Sequence, residues 1–443
     1  MASLSSLYQR LRALPEGYLS KKTIHGKVYF YHQFFADGAL RSRYVNSEEA
    51  ERLKEQFAEK QEILQEIKAI HSSAKKVGSL SKSATAFDGY LMSGDRVVAT
   101  FDHGALVSMD EKRCPFIIQR TKLMDCFLSK RVIDSSRSNA KLLKKALGIQ
   151  EKDDEKIALY AYGASIGDDY WFRPRHSKLK YADICFDNDI YAELSLTGKM
   201  ILLPSGIHLT PELSTRGAQE KGWKRKGGHW VLYKKESDEQ LFSELLSCQL
   251  ARALGIPTAE YHYEEPYIAS TNFAEGVNFE PLVSYLGEDE DYEYVYRSLL
   301  ALGKGIAEQY LNLMRFDALV YNVDRHNENY GLLRDKESGE VLSLAPNFDN
   351  NLCLLGYQGK LPETKKDGLL RRFLSFATKN AKARECLANH PLPPLSEEEI
   401  LSLIDALPLP CPIEKEGLAR QLKERIDYLN YAFSIAGIPV EEE

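Results

Sequence analysis

The sequence predicts an α+β protein with two lobes. A small β-rich N-terminal lobe is followed by a helical C-terminal lobe, and extra N-terminal α/β modules precede both. Three observations predict this. Short runs rich in Tyr, Val and Trp, separated by turn signals, recur up to about residue 280. From residue 289 onward the apolar residues fall mostly at helical spacing, interrupted by one hairpin pattern at 330–346. Two polar clusters, at 209–222 and 324–329, stand at the ends of these elements, where binding groups are expected.

The chain has 443 residues, enough for two or three domains and a large core. With 44% hydrophobic and 28% charged residues it reads as a globular protein. No apolar run approaches the roughly 18 residues of a membrane span, so no membrane contact is expected. Residues Met1 to Arg12 lack the apolar centre of a secretory signal. The seven cysteines are scattered and contain no C-x-x-C pair. Reduced thiols in a cytoplasmic protein are expected, rather than a zinc site or a disulfide framework. Residues 1–85 carry 14 Lys and Arg against 9 Asp and Glu, although the whole chain is at −6. Such a basic segment is more often a solvated face than a nucleic-acid site. Contact with nucleic acid is expected only through 1–85 or through a partner.

Residues 1–75 read as a basic module of β-hairpin and helix. A short helix is expected over 8–15, then two or three antiparallel strands between Tyr18 and Tyr44, then a helix from Ser47 to about Ile70 opened by Ser-Glu-Glu-Ala. The small, basic stretch Ser72–Ser83 reads as a linker. Residues 85–150 read as a small α+β docking module, with a hairpin around Ser93-Gly94-Asp95 and helices at 121–130 and 136–148. The third unit, 156–288, opens with short strands and turns over 156–203. Its acidic and aromatic cluster Asp168-Asp169-Tyr170-Trp171 reads as core more readily than as a binding edge.

The loop Leu209–Gly222 is small and polar. Gly217 lets backbone amides approach a phosphate, and Ser214 and Thr215 add hydroxyls. Its spacing matches neither G-x-G-x-x-G nor a Walker motif. The strand Trp230–Lys235 follows, and its apolar residues ending in lysine have the order of a strand that places an ammonium on phosphates. The register between Lys234 and Lys235 stays open, and a strand ending in two solvated lysines would look the same. Asp238 is expected to cap a helix over 239–255 that contains Glu244, a carboxylate able to hold the strand lysine. Ser270, Thr271 and Asn272 are candidate hinge residues.

The fourth unit, 289–443, is helical. Tyr292 to Tyr321 reads as one or two helices, with Gly303 and Gly305 as weak points. It breaks into Asp324-Arg325-His326-Asn327-Glu328-Asn329. An Asp followed five residues later by an Asn is the spacing with which kinases orient a hydroxyl and hold magnesium. An Asx-rich turn would look similar locally. The hairpin 330–346 tips the balance, because it returns Asn347-Phe348-Asp349-Asn350 to the neighbourhood of Asp324. Two carboxylates and an amide then converge, a donor set suited to magnesium. Ser396 caps a further helix, and the last runs from Glu414 to Ala436.

This order of elements resembles the HipA-like serine/threonine kinases over roughly residues 156–440. The motifs most alike are Ser214–Lys221 and Asn322–Asn329. The resemblance implies a divergent, two-lobed protein-kinase-like fold and an ATP- and Mg2+-dependent protein kinase. Asp324 would be the catalytic base, Asn329 and Asp349 the metal ligands, and His326 a brace of the catalytic loop. Lys234, supported by Glu244, would bind phosphates. Ser214, Thr215, Gly217, Ala218 and Gln219 would form the phosphate loop, with autophosphorylation at Ser214. A protein substrate and an antitoxin partner are implied too. Asp349 is followed by Asn350-Asn351 where an aliphatic pair is expected, and residues 1–150 do not follow the family closely. The alternatives are a phosphotransferase acting on a small molecule or lipid, and a non-catalytic nucleic-acid or partner-binding protein.

Overall fold

The computed structural model describes residues 10, 14–15, 18–24, 27–36, 39–75, 86–199, 209–355 and 359–434. Most of the helix expected over 8–15, and residues 76–83 of the linker expected over 72–83, lie outside these residues; residues 72–75 instead continue the helix Ser47–Lys75. The described chain is mixed α and β, with several small antiparallel sheets and many short helices.

Three strands, β1 (Tyr18–Ile24), β2 (Lys27–Ala36) and β3 (Ala39–Val45), form the first sheet in sequence order. The helix Ser47–Lys75 follows, and its Ala50 and Leu53 pack with Val45 in a small core. The second sheet has the order β6-β5-β4-β7, from β4 (Gly89–Ser93), β5 (Arg96–Asp102), β6 (Ala105–Met109) and β7 (Tyr170–Pro174). Ser93 pairs with Arg96, so Gly94-Asp95 is the turn, as the sequence suggested. The strand β7 pairs with β4, which places Tyr170 and Phe172 in the core of the 85–150 segment. The rest of 156–199 departs from the expected strands and turns. It holds short helices at Asp154–Tyr160, Tyr181–Ile184 and Ala192–Thr197. These last one or two turns, too short for a 3.6-residue period to emerge from the sequence.

The third sheet has the order β10-β11-β9-β8, from β8 (Lys221–Lys226), β9 (His229–Lys234), β10 (Tyr261–Glu264) and β11 (Tyr267–Thr271). Ser237 caps the helix Asp238–Ala253 through a reciprocal bond with Gln240. The fourth sheet joins β12 (Val277–Pro281) to the hairpin of β13 (Gly331–Asp335) and β14 (Val341–Leu344). The long helical stretch breaks at Gly303, whose extended backbone separates Tyr292–Leu302 from Lys304–Val320. One apolar core runs from Leu241 to Phe433 and is built mainly around Lys304–Val320. It fixes the helix that delivers the 322–329 loop.

Candidate active site

The helix Lys304–Val320 ends in Tyr321, whose left-handed backbone (φ 56°) turns the chain into the polar loop. Asn322 caps the turn by accepting from the Asp324 amide at 3.2 Å. The Asn329 amide Nδ2 donates to the Asp324 carbonyl at 2.9 Å, so residues 324–329 close on themselves. That bond fixes the Asn329 side chain and leaves its oxygen as the group available to a cation. The His326 ring Nδ1 accepts from the Glu328 amide at 3.2 Å, an internal brace of the same loop. Burial raises the Asp324 carboxyl and nearby Asp349 adds to this, while His326 opposes it.

Arg325 carries the largest structural role here, and the sequence reading gave it none. Its buried guanidinium makes two bonds of 2.9 Å to Asp317. It also donates to the Asn329 carbonyl and the Phe348 carbonyl, both at 2.8 Å. Further bonds reach the side chains of Asn347 (2.6 Å) and Asn350 (3.1 Å). One residue therefore ties the 324–329 loop to the segment returned by the β13–β14 hairpin. The unexpected Asn350 has its use in this network. Its backbone N–H also donates to Glu244 at 3.0 Å.

The register left open at β9 is resolved geometrically. Lys234 is buried and its Nζ lies 2.8 Å from Asp349 Oδ1 and 3.9 Å from Glu244 Oε2. Lys235 points elsewhere, to Glu220 at 3.3 Å, and is half exposed. Burial pushes the Glu244 carboxyl up to about 7, against the pull of Lys234. Burial also opposes ionisation of Asp349, but Lys234 and Lys221 outweigh it and hold that carboxyl well below the usual range. Asp349 adopts φ 62°, uncommon for a non-glycine residue and often a mark of function.

Lys221 was not among the expected site residues. It stands directly across from Lys234 in the β8–β9 pair. Like charges so placed repel, and burial followed by Lys234 pushes the Lys221 ammonium down to about 8. Asp349 is the carboxylate that offsets the pair. Counting back from the Gly227-Gly228 turn, with Lys226 opposite His229, gives this register from sequence alone.

The 211–220 loop lies against this cluster. Gly217 has φ +96°, a backbone conformation that favours glycine, and a Cβ there would push the Lys221 ammonium aside. Ser214 is buried and donates to the Pro211 carbonyl at 3.2 Å. Thr215 donates to the same carbonyl at 2.7 Å and accepts from Trp223 Nε1 at 2.9 Å. Both hydroxyls are thus turned into the loop, while Ala218 and Gln219 are exposed. Thr271 ends β11, and Asn272 bonds back to the Trp230 carbonyl at 2.8 Å.

The donor set is all hard oxygen and ammonium: the Asn329 and Asp349 oxygens, then Lys234 and Lys221. Glu244 Oε2 is buried with no hydrogen-bond partner, and its ion-pair contact is Lys234 Nζ at 3.9 Å. These groups fit a divalent cation carrying phosphates. Among the described residues, the one other cluster of potential ligands is the exposed Asp88, Asp102 and His103, outside this site. All seven cysteines are free. No helix among the described residues is long and apolar enough to cross a membrane.

Fold and site together define a mixed α/β protein with a lysine–carboxylate centre facing an Asp/Asn loop. No protein-family model matches the chain, and no curated protein does. Solved structures do. The chain is similar to the proinflammatory kinase CtkA of Helicobacter pylori, with 20% identity and a TM-score of 0.37 over 48% of this chain and 94% of that one. It is also similar to HipA of Shewanella oneidensis MR-1, solved in a toxin–antitoxin complex with HipB and operator DNA. There the identity is 15% and the TM-score 0.40, over 93% of this chain and 99% of that one.

Proposed function

We propose that the chain is an ATP- and magnesium-dependent protein serine/threonine kinase of the HipA-like class, with the two-lobed arrangement that such a site implies. The observation that carries this reading is the placement of Lys234 between Asp349 and Glu244, with Arg325 joining Asp349's segment to the Asp324–Asn329 loop. A solvated strand end or an Asx turn would need neither the buried ammonium nor the cross-link.

In this reading Lys234 and Lys221 bind the phosphates, with the backbone of 215–219 alongside. Asn329 and Asp349 would hold the magnesium ion, which supplies neutralisation of phosphate charge when bound. Asp324 orients the acceptor hydroxyl and takes its proton, a role suited to a carboxylate raised by burial. His326 keeps the loop in shape. A toxin-type role, an antitoxin as partner and autophosphorylation at Ser214 belong to the same proposal.

The test is Asp324→Asn. It should abolish radiolabelled phosphate transfer from ATP to protein acceptors while circular dichroism stays unchanged. Undiminished transfer by a folded variant sinks the assignment. Transfer to small molecules or lipids, with none to protein, would replace the acceptor class but keep the centre.

A further inference from the structure

The segment 133–139 of the 85–150 module grips the phosphate loop along its length. The Ile133 amide donates to the Leu213 carbonyl at 2.6 Å, at the loop's start. Ser138 Oγ donates to Glu220 Oε1 at 2.6 Å, at its end, and Asn139 Nδ2 donates to the same oxygen at 3.3 Å. Between them Arg137, 1% exposed, enters the middle. Its Nη2 donates to the carbonyls of Thr215 (2.7 Å), Arg216 (3.1 Å) and Gly217 (3.1 Å), and its Nε donates to Gly217 at 3.2 Å.

Three consecutive carbonyls on one guanidinium have a consequence on the opposite face. Within a trans peptide the C=O and the following N–H point in opposite directions. The amides of Arg216, Gly217 and Ala218 therefore face away from Arg137. None of them donates a hydrogen bond among the described residues. Successive free N–H groups form a cradle for an anion, with Gly217 at φ +96° permitting the turn of the chain. Arg137 makes no hydrogen bond to a carboxylate, and its Nη1 is buried without a partner. Asp134 and Glu212 act on its charge without bonding it, and it in turn acts on Lys221 across the loop.

We propose that Arg137 is a positioning residue: it orders the 215–217 carbonyls so that the 216–218 amides form a preorganised cradle for the phosphates of the nucleotide. This rests on the kinase reading above for the identity of the anion. It gives the 85–150 module a role in phosphate binding, although no residue of that module would touch the nucleotide.

The test compares wild type, Arg137→Lys and Arg137→Met in the full chain. ATP and inorganic pyrophosphate binding are followed by calorimetry, and amide hydrogen exchange of the 213–220 peptide without nucleotide. Losing the charged hydrogen bonds in Arg137→Met should weaken ATP binding about tenfold and speed loop exchange by a similar factor. The KM for the protein acceptor and exchange in the helix Lys304–Val320 should not move, as they would after general destabilisation. Arg137→Lys keeps the charge without the fork and should fall between the two. Wild-type affinity and wild-type loop exchange in a folded Arg137→Met overturn the proposal. If that variant does not fold, unchanged affinity and exchange in Arg137→Lys do so. A wild-type chain that binds neither ATP nor pyrophosphate overturns the kinase reading and the cradle together. Tight binding by both wild type and Arg137→Met removes the role of Arg137 alone.

Discussion

Arg216 and Glu328 form an ion pair of 2.9 Å that joins the 211–220 loop to the 324–329 loop, and Lys130 of the 85–150 segment binds the same Glu328 oxygen. Burial works against the Glu328 charge, but Arg216 and Lys130 outweigh it and hold the carboxyl down to about 2. Its folded value is thus below its ordinary one near 4.5. The contribution to stability is present above the ordinary value and is lost as pH falls toward 2. With partial solvent screening it is on the order of 1–2 kcal/mol. Glu328→Gln should lower stability by that amount at pH 7 and by much less at pH 2.5. It should also raise the KM for ATP several-fold, because the loop loses its tie. Equal destabilisation at both pH values in urea titrations would refute this account.

Lys221 supplies a pH dependence of the opposite kind. Its ammonium, at about 8 in the free protein, becomes neutral as pH rises through that value. A neutral amine cannot attract phosphate, so kcat/KM for ATP, which reports the free enzyme, should fall above pH 8. Lys221→Arg keeps its charge in that range and should remove the fall, at some loss of fit. A wild-type profile flat to pH 9.5 would contradict the placement of this lysine.

The site was legible in the sequence where its groups are close along the chain. Asp324 and Asn329 lie five residues apart, and Asp349 returns through a hairpin whose turn residues announce it. What was missed depends on distance. Arg137 meets carbonyls 78 to 80 residues away, and Lys130 meets Glu328 across 198 residues. No local period records such contacts. Arg325 reads locally as a solvated charge, and its burial follows only once Asp317 and Asn350 are packed around it. Lys221 is a different case, since the hairpin count from Gly227-Gly228 places it opposite Lys234 without any tertiary information. The short helices of 154–197 were hidden by the Tyr-Trp-Phe run of β7, which pulls the whole segment toward a strand reading.

Ser214 makes a further prediction. Its hydroxyl is buried and bonded to the Pro211 carbonyl. A phosphoserine there would bring about two negative charges into a site with no room for their hydration. Autophosphorylation should therefore require the loop to leave, and the modified loop should not return. Intact-mass measurement after incubation with Mg-ATP should show one phosphate on wild type and none on Ser214→Ala. The phosphorylated fraction should have lost ATP binding. Glu328→Gln, with its loop untied, should acquire the phosphate faster than wild type per unit of transferase activity. Slower modification on that basis would count against loop departure.

Glu244 tests the lysine–carboxylate centre without any ligand. Burial places its carboxyl at about 7, above an ordinary value near 4.5. Between those two values the folded state binds more protons than the unfolded one, so stability falls as pH rises through the window. The fall attributable to this group is on the order of 2–3 kcal/mol by pH 8. Glu244→Gln cannot ionise, and its amide oxygen can still accept from the Asn350 N–H, which bonds Oε1 at 3.0 Å. Urea unfolding at pH 5 and pH 8 should show the variant losing less stability over this range than wild type. At pH 8 the variant should be at least as stable as wild type. Its transferase activity should nonetheless drop, because Lys234 has lost one of the two carboxylates near its ammonium. Parallel stability curves for the two proteins would mean that Glu244 is ionised in the folded state throughout this range, as in the unfolded chain, and would refute the raised carboxyl.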